Sequence, residues 1–207
     1  MEKAKRKERE YSFRRAAILE QAVKIFASKG FHNTTMVEIA RASGFAVGSI
    51  YLLFDSKEQL YTEMLTEKLN MLYSGTRKLV SKEAEVDKKV EMMVMSQFHF
   101  VEENAEFCSI FIRGDHLSLS RGSIELRKRM MADYAAHISF VEAVMSEGIR
   151  TGFLKAMDPR MMAAALAGLI NSCASKWLTM EEKASLMNYI PFVVDIFLQG
   201  VRKDAHQ

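Results

Sequence analysis

Apolar residues in this chain recur at helical spacing, and no segment sustains the period-two alternation of a strand. Ile18, Leu19, Ala22, Ile25 and Phe26 share one face of a helix that Ser12 can cap and that Lys29-Gly30 brings to an end. Thr35-Met-Val-Glu38 forms a capping box before Val37, Ile39 and Ala40, and the helix it opens stops at Gly44. A second short helix is expected over 47–53. Ser56-Lys-Glu-Gln59 repeats the capping logic and starts a longer helix through Leu60, Met64, Leu65 and Leu72. Downstream, the pattern predicts helices at 86–104, 106–113, 122–150, 159–177 and 180–203. Gly152 closes the third of these, Asp158-Pro159 is the N-cap and first residue of the fourth, and Thr179-x-x-Glu182 caps the last. Pro191 then falls inside the last helix and should kink it near Ile190. The expected fold class is all-α.

Two short helices joined by a tight Gly-containing turn, with a longer helix on each side, make the arrangement of a helix-turn-helix unit. The second short helix has an unusual surface, since no charged residue occurs from 42 to 54. A surface helix without charge usually meets something. These features divide the chain into a small N-terminal domain, 1–58, and a larger helical domain, 59–207, with no Pro/Gly/Ser-rich linker between them.

Composition narrows the class. Of 207 residues 49% are hydrophobic and 27% charged, with 2 Pro and 10 Gly, which describes a globular chain rather than a disordered one. Two distant cysteines, Cys108 and Cys173, and no charged-then-apolar leader point to a reducing cytoplasm. The longest uncharged stretch, 161–175, is too short and polar for a membrane span, so no membrane partner is expected. The net charge of +3 conceals an asymmetry. Residues 1–60 hold 11 Lys/Arg against 7 Asp/Glu, which leaves 18 against 19 for the rest of the 29 and 26. Lys3, Lys5, Arg6, Lys7, Arg9, Arg14 and Arg15 form a basic arm, and such an arm beside an uncharged helix suggests a polyanionic partner.

The run Thr34-Thr-Met-Val-Glu-Ile-Ala-Arg-Ala-Ser-Gly-Phe-Ala-Val-Gly-Ser-Ile-Tyr-Leu-Leu-Phe-Asp-Ser-Lys-Glu-Gln-Leu60 resembles the DNA-binding signature of TetR-family repressors. The signature is met by Thr35, Ile39, Ala40, Gly44, Phe45, Gly48, Ser49, Ile50, Tyr51, Phe54, Ser56, Lys57, Glu58 and Leu60. The resemblance implies a two-domain homodimer whose helix-turn-helix units occupy successive major grooves of a palindromic double-stranded DNA operator. It puts Thr35 and Lys57 at phosphates, and Phe45, Ala46, Val47, Gly48, Ser49 and Tyr51 on the groove-facing surface. Ile39, Ala40, Ile50 and Phe54 turn inward. The chain departs from many relatives at Val47 and Leu53, where polar or aromatic contacts are common. No Arg, Lys, Asn or Gln lies between Gly44 and Phe54 for bidentate base readout. Ala46 and Val47 are left to touch thymine methyls, while Arg41 and the arm supply phosphate or minor-groove contacts, so affinity should depend strongly on salt.

The last two helices carry matching apolar stripes: Met162, Ala165, Leu166, Leu169 and Ile170 in one, Val193, Val194, Phe197 and Leu198 in the other. Ala164, Gly168 and Ser172 add a small-residue side to the first. These stripes are the candidate dimer interface, in agreement with the place the resemblance gives it. Fifteen Met, most of them beyond residue 60, suit a permissive apolar pocket. Met95, Phe98, His99, Phe107, Phe111, Tyr134 and Trp177 are its candidate lining, and a lipophilic small molecule its expected effector. The resemblance implies that such an effector releases the operator.

No nucleophile elbow, phosphate-binding loop, dinucleotide fingerprint or repeated Cys/His spacing occurs, so neither an enzyme, a metal site nor a cofactor is expected. Two other readings remain at this point. One is a helical carrier or scaffold whose basic arm binds acidic surfaces; the other is a protein that binds DNA without sequence preference.

Overall fold

The computed structural model describes residues 2–113, 123–182 and 184–203, and the side chains of all of these except 3, 4, 111–113 and 123–127. The elements are α1 (Glu2–Lys29), α2 (Met36–Ser43), α3 (Val47–Tyr51), α4 (Lys57–Val80), α5 (Val86–Glu103), α6 (Ala105–Arg113), α7 (Ser123–Arg150), α8 (Pro159–Leu178), a 3-10 turn (Leu186–Tyr189) and α9 (Ile190–Val201). Among the described residues the only extended pairing is an isolated bridge between Leu154 and Arg202, so the fold is all-α, with an N-terminal helix-turn-helix and a larger helical C-terminal part.

The chain gathers into two compact units, Met1–Lys68 with Glu106–Arg127, and Leu69–Ala105 with Lys128–Gln207. The expected boundary at residue 58 falls at the start of α4, whereas the first unit by contact continues to Lys68 and takes in a second segment.

The first unit is built on α1, α2 and α3 with the first turns of α4. Ile18, Ala22, Phe26, Ile39, Ile50, Phe54, Leu60 and Tyr61 are fully buried, and each Ile, Leu or Phe among them contributes about 1.5–3 kcal/mol. Phe26 and Phe31 lie against Tyr61 at 4.8 and 5.0 Å between ring centres, edge to face. Arg15 of α1 reaches both Glu63 and Glu67 on α4 and lies over the Phe54 ring, so this member of the basic arm is an internal clamp. The arm itself is helical. α1 runs unbroken from Glu2, and Ser12 lies in its interior instead of capping it, because Lys, Arg, Glu and Ala before Ser12 are good helix formers that nothing interrupts.

In the second unit α5, α8, α9 and the 3-10 turn pack on one another around Val90, Met93, Val94, Phe98, Leu166, Ile170, Val193 and Phe197, with Val141, Val144 and Met145 from α7. Asp158 caps α8 through Arg160 N–H at 2.9 Å, with Pro159 in the first turn. Lys89 of α5 donates to both carboxylate oxygens of Glu147 on α7 at 2.8 and 2.6 Å. α9 departs from expectation. Thr179 ends α8 instead of capping a helix from 180, and Pro191 sits at the beginning of α9. A proline lacks the N–H that an interior helical position requires, so the helix starts there and does not bend there.

Candidate nucleic-acid interface

The helix-turn-helix is assembled from local signals. Thr35 Oγ1 accepts from Glu38 N–H at 3.2 Å, and Glu38 accepts from Thr35 N–H at 2.9 Å, closing the box that starts α2. Lys29 pairs with the same carboxylate, and this ion pair first, with the Thr35 bonds after it, holds the Glu38 carboxyl down at about 2. At the other end Gly44 adopts φ +74°, a left-handed conformation that costs a side chain about 1 kcal/mol or more and turns the chain from α2 into α3. Phe45 N–H donates back to the Ala40 carbonyl at 3.0 Å and Ser49 N–H to the Ala46 carbonyl at 2.9 Å, so the turn is tied to the helix on each side of it.

The side chains of α3 then sort by face. Ile50 and Phe54 are buried with Ile39 and Ala40 beneath them. Ala46, Gly48 and Tyr51 are exposed, while Phe45, Val47 and Ser49 are half-buried. A Cβ added at Gly48 would meet nothing within 4 Å, so no packing inside the chain requires a glycine there. Within a helix a glycine lowers stability by about 0.5–1 kcal/mol against alanine, and here it leaves the outer side of α3 low and open.

The expected phosphate contacts are partly occupied. Thr35 spends its hydroxyl and its N–H on the capping box, and the next N–H groups of α2 are the ones left facing outward. Lys57 donates to the carbonyls of Phe31 and Thr34, both at 2.8 Å, with its ammonium 4.4 Å from the Phe31 ring centre. One of its three N–H donors is left for a phosphate. Arg41 is exposed on the last turn of α2. Two apolar residues not expected at this surface join it: Val37, 60% exposed, and Leu52, 86% exposed, the most uncovered large apolar side chain recorded. Their signal in the sequence was position alone, one on α2 outside the stripe and one at the end of α3.

The nine dimer candidates divide. Met162, Leu166, Ile170, Val193 and Phe197 are buried in their own chain's core, and Leu169, Val194 and Leu198 pack partly against it. Ala165 is exposed, together with Ala164, Gly168 and Ser172 on α8 and Phe192 and Ile196 on α9. The effector candidates differ in exposure. Met95 is half-buried, Phe98 and Phe107 are fully buried, and Tyr134 is exposed. His99 is exposed and 3.3 Å from Glu103. The Phe111 side chain lies outside the described residues. Trp177 donates from Nε1 to the Ala184 carbonyl at 2.7 Å and lines a cavity of about 210 Å³ with Ser172, Cys173, Lys176, Met180, Tyr189 and Phe192, which includes none of the other six. Both thiols are held up by burial, Cys108 to about 12, which favours the protonated form. Among the described residues no group of three or more His, Cys, Asp or Glu can hold a metal, and no helix is long and apolar enough to cross a membrane.

Known proteins share this arrangement. The fatty acid metabolism regulator protein of Bacillus subtilis (strain 168) is 22% identical over 185 residues, 89% of this chain and 93% of its own. The solved structure of the transcriptional regulator FadR from Bacillus subtilis in complex with stearoyl-CoA superposes with a TM-score of 0.76 at 22% identity, covering 89% of this chain and 98% of that one. AibR in complex with isovaleryl coenzyme A and operator DNA does so with a TM-score of 0.72 at 20% identity, covering 88% and 97%. Residues 65–200 match the model of the YsiA-like C-terminal region, and residues 18–64 match that of bacterial regulatory proteins of the tetR family. The chain belongs to the tetR family of transcriptional regulators, which are DNA-binding proteins and not enzymes.

Proposed function

We propose that the protein is a dimeric transcriptional repressor of the cytoplasm that binds a palindromic operator through α2 and α3 and is released by a lipophilic effector of acyl type. The observation that carries the DNA half is the uncharged outer face of α3, with Gly48 open to the outside and Leu52, Tyr51 and Val37 around it. Such a face reads thymine methyls and groove shape more than hydrogen-bond patterns, and Arg41, Lys57 and the basic α1 extension supply the phosphate attraction. Thr35, Phe45, Ala46, Val47 and Ser49 complete the surface.

The dimer half of the proposal moves from the buried stripes to the opposite sides of the same helices. Gly168 lies inside α8 with no atom near its Cβ position, and with Ala164, Ala165 and Ser172 it makes a low surface that the exposed Phe192 and Ile196 of α9 extend. A second copy laid on this face buries apolar surface that the single chain leaves in water. The effector half is supported by two solved relatives in complex with an acyl-CoA and by the Met- and Phe-rich second unit. An effector acts only through unequal affinity for the DNA-competent and released arrangements.

The test is fluorescence-anisotropy titration of the DNA upstream of the protein's own coding region, against unrelated duplex, at two salt concentrations, followed by addition of long-chain acyl-CoA. The expected result is tight binding that survives competitor, weakens steeply with salt, and is reversed by the acyl-CoA. Equal weak binding to both duplexes, repeated on sites selected from the whole genome, would favour a carrier or a nonspecific binder instead.

A further inference from the structure

The second unit buries a polar cluster between the end of α4 and the middle of α7. His137 is 3% exposed, and its ring stacks on that of Tyr73, with centres 4.5 Å apart and planes at 16°. Its Nδ1 has no hydrogen-bond partner among the described residues, and neither has the buried Oδ2 of Asp133, one turn earlier on the same face of α7. Burial first, and then the Arg77 charge, holds the imidazole down at about 4, so at neutral pH it is uncharged and each ring nitrogen either donates or accepts. Burial also pushes the Tyr73 phenol up to about 12, with Tyr134 and Asp133 close enough to add to the effect. One turn further along α4 the polar side chain is paired. Thr76 Oγ1 donates to the Leu72 carbonyl at 2.9 Å and lies 3.0 Å from Ser96 Oγ.

Two buried polar atoms left unmet side by side are costly, and their chemistry selects what can meet them. An anion is repelled by the Asp133 carboxylate, and an ammonium by Arg77. A plain alkyl chain or an ester carbonyl leaves Asp133 without a donor. A neutral group that both donates and accepts satisfies both: a hydroxyl or a secondary amide. We propose that Asp133 and His137 are the polar end of an effector site that recognises a hydroxyl or secondary-amide group on an otherwise apolar molecule, the group donating to Asp133 Oδ2 and bonding His137 Nδ1. This rests on the effector half of the function proposed above and adds what that half leaves open, the polar group that distinguishes one lipophilic molecule from another. Sequence reading passed over the pair, although Asp-x-x-x-His on a helix was there to be seen.

The test is isothermal titration of the full-length protein with three probes of matched chain: methyl dodecanoate, methyl 3-hydroxydodecanoate and N-methyldodecanamide. The hydroxyl or the amide probe should bind at least about tenfold more tightly than the plain ester, because an analogue lacking the donor leaves buried groups unpaired; which of the two gains identifies the source of the group. In Asp133→Leu and His137→Phe the preference should fall to within about twofold, while the plain ester keeps or improves its affinity. That last readout also reports that each variant is folded. Equal affinity of the wild-type protein for all three probes, or a preference that survives both substitutions, overturns the proposal and leaves the effector reading standing. Binding of none of the three overturns this proposal, and if acyl-CoA also fails to reverse DNA binding the effector reading falls with it.

Discussion

The two units use their polar side chains in opposite ways. In the first, they are spent on holding backbone in place: Thr35 and Glu38 close a capping box, Lys57 ties down two loop carbonyls, and Arg15 clamps α1 to α4. What α3 shows outward carries no charge, and α2 adds the exposed Val37 and Arg41. In the second unit Ala164, Ala165, Gly168 and Ser172 of α8 and Phe192 and Ile196 of α9 are exposed, but inside it Asp133 and His137 hold hydrogen-bonding capacity in reserve. Under the effector reading proposed above, that reserve is what a small molecule would meet.

The largest effect that would test this contrast comes from Gly48→Arg. Operator affinity should fall by about 100-fold, with the melting temperature nearly unchanged, since the new side chain meets nothing within its own chain. If affinity holds, the outer face of α3 is not the reading surface. Gly148→Ala should act in the reverse sense, on stability first. Its Cβ would stand 2.6 Å from the Leu154 side chain and 3.0 Å from Val86, and crowding of that kind costs about 1–3 kcal/mol in denaturant unfolding.

Acid separates the units further. His137 titrates at about 4 when folded and near 6.5 when unfolded, so the unfolded chain takes up the extra proton and stability falls as the pH drops from about 6.5 to about 4. Glu38 is shifted the other way, from 4.5 to about 2, so what its box and ion pair contribute is kept above 4.5 and lost only as the pH falls towards 2. Far-UV dichroism with hydrogen exchange across that range should show α7 loosening before α2. A simultaneous loss would mean that the two units do not unfold separately. The smallest effect expected is Gly44→Ala, about 1 kcal/mol for the left-handed turn, measured as a lower midpoint with unchanged slope.

How much of this was legible depended on how local each signal was. The box at Thr35, the stop at Gly44 and the Asp158-Pro159 start of α8 each involve residues within one helical turn, and the chain folds as they indicate. Ser12 and Thr179 carry comparable caps that lost to their surroundings, one to a run of strong helix formers and one to the end of a helix already formed. Periodicity marked the stripes of α8 and α9 correctly as apolar faces, but it could not distinguish a face turned to its own core from one turned to another subunit. Met162 and Phe197 are buried at home, and the residues left outside are small ones on α8, with Phe192 and Ile196 on α9. The seven effector candidates were chosen by residue type, which does not say which side chains share a cavity; of the seven, Trp177 lines the cavity beside Cys173. Burial of His137 and Asp133 depends on α4, which is remote in sequence.

The seat of Lys57 limits which exchanges at that position the protein can accept. An ammonium is a compact tetrahedral donor, and here it points N–H groups at two carbonyls while resting on the Phe31 ring. Arginine carries the same charge on a flat, wider fork that cannot serve both carbonyls from one point. The exchange usually counted as harmless would therefore loosen the loop before α2, and acetylation of this lysine, by removing its charge, would unfasten the same loop with no change in sequence.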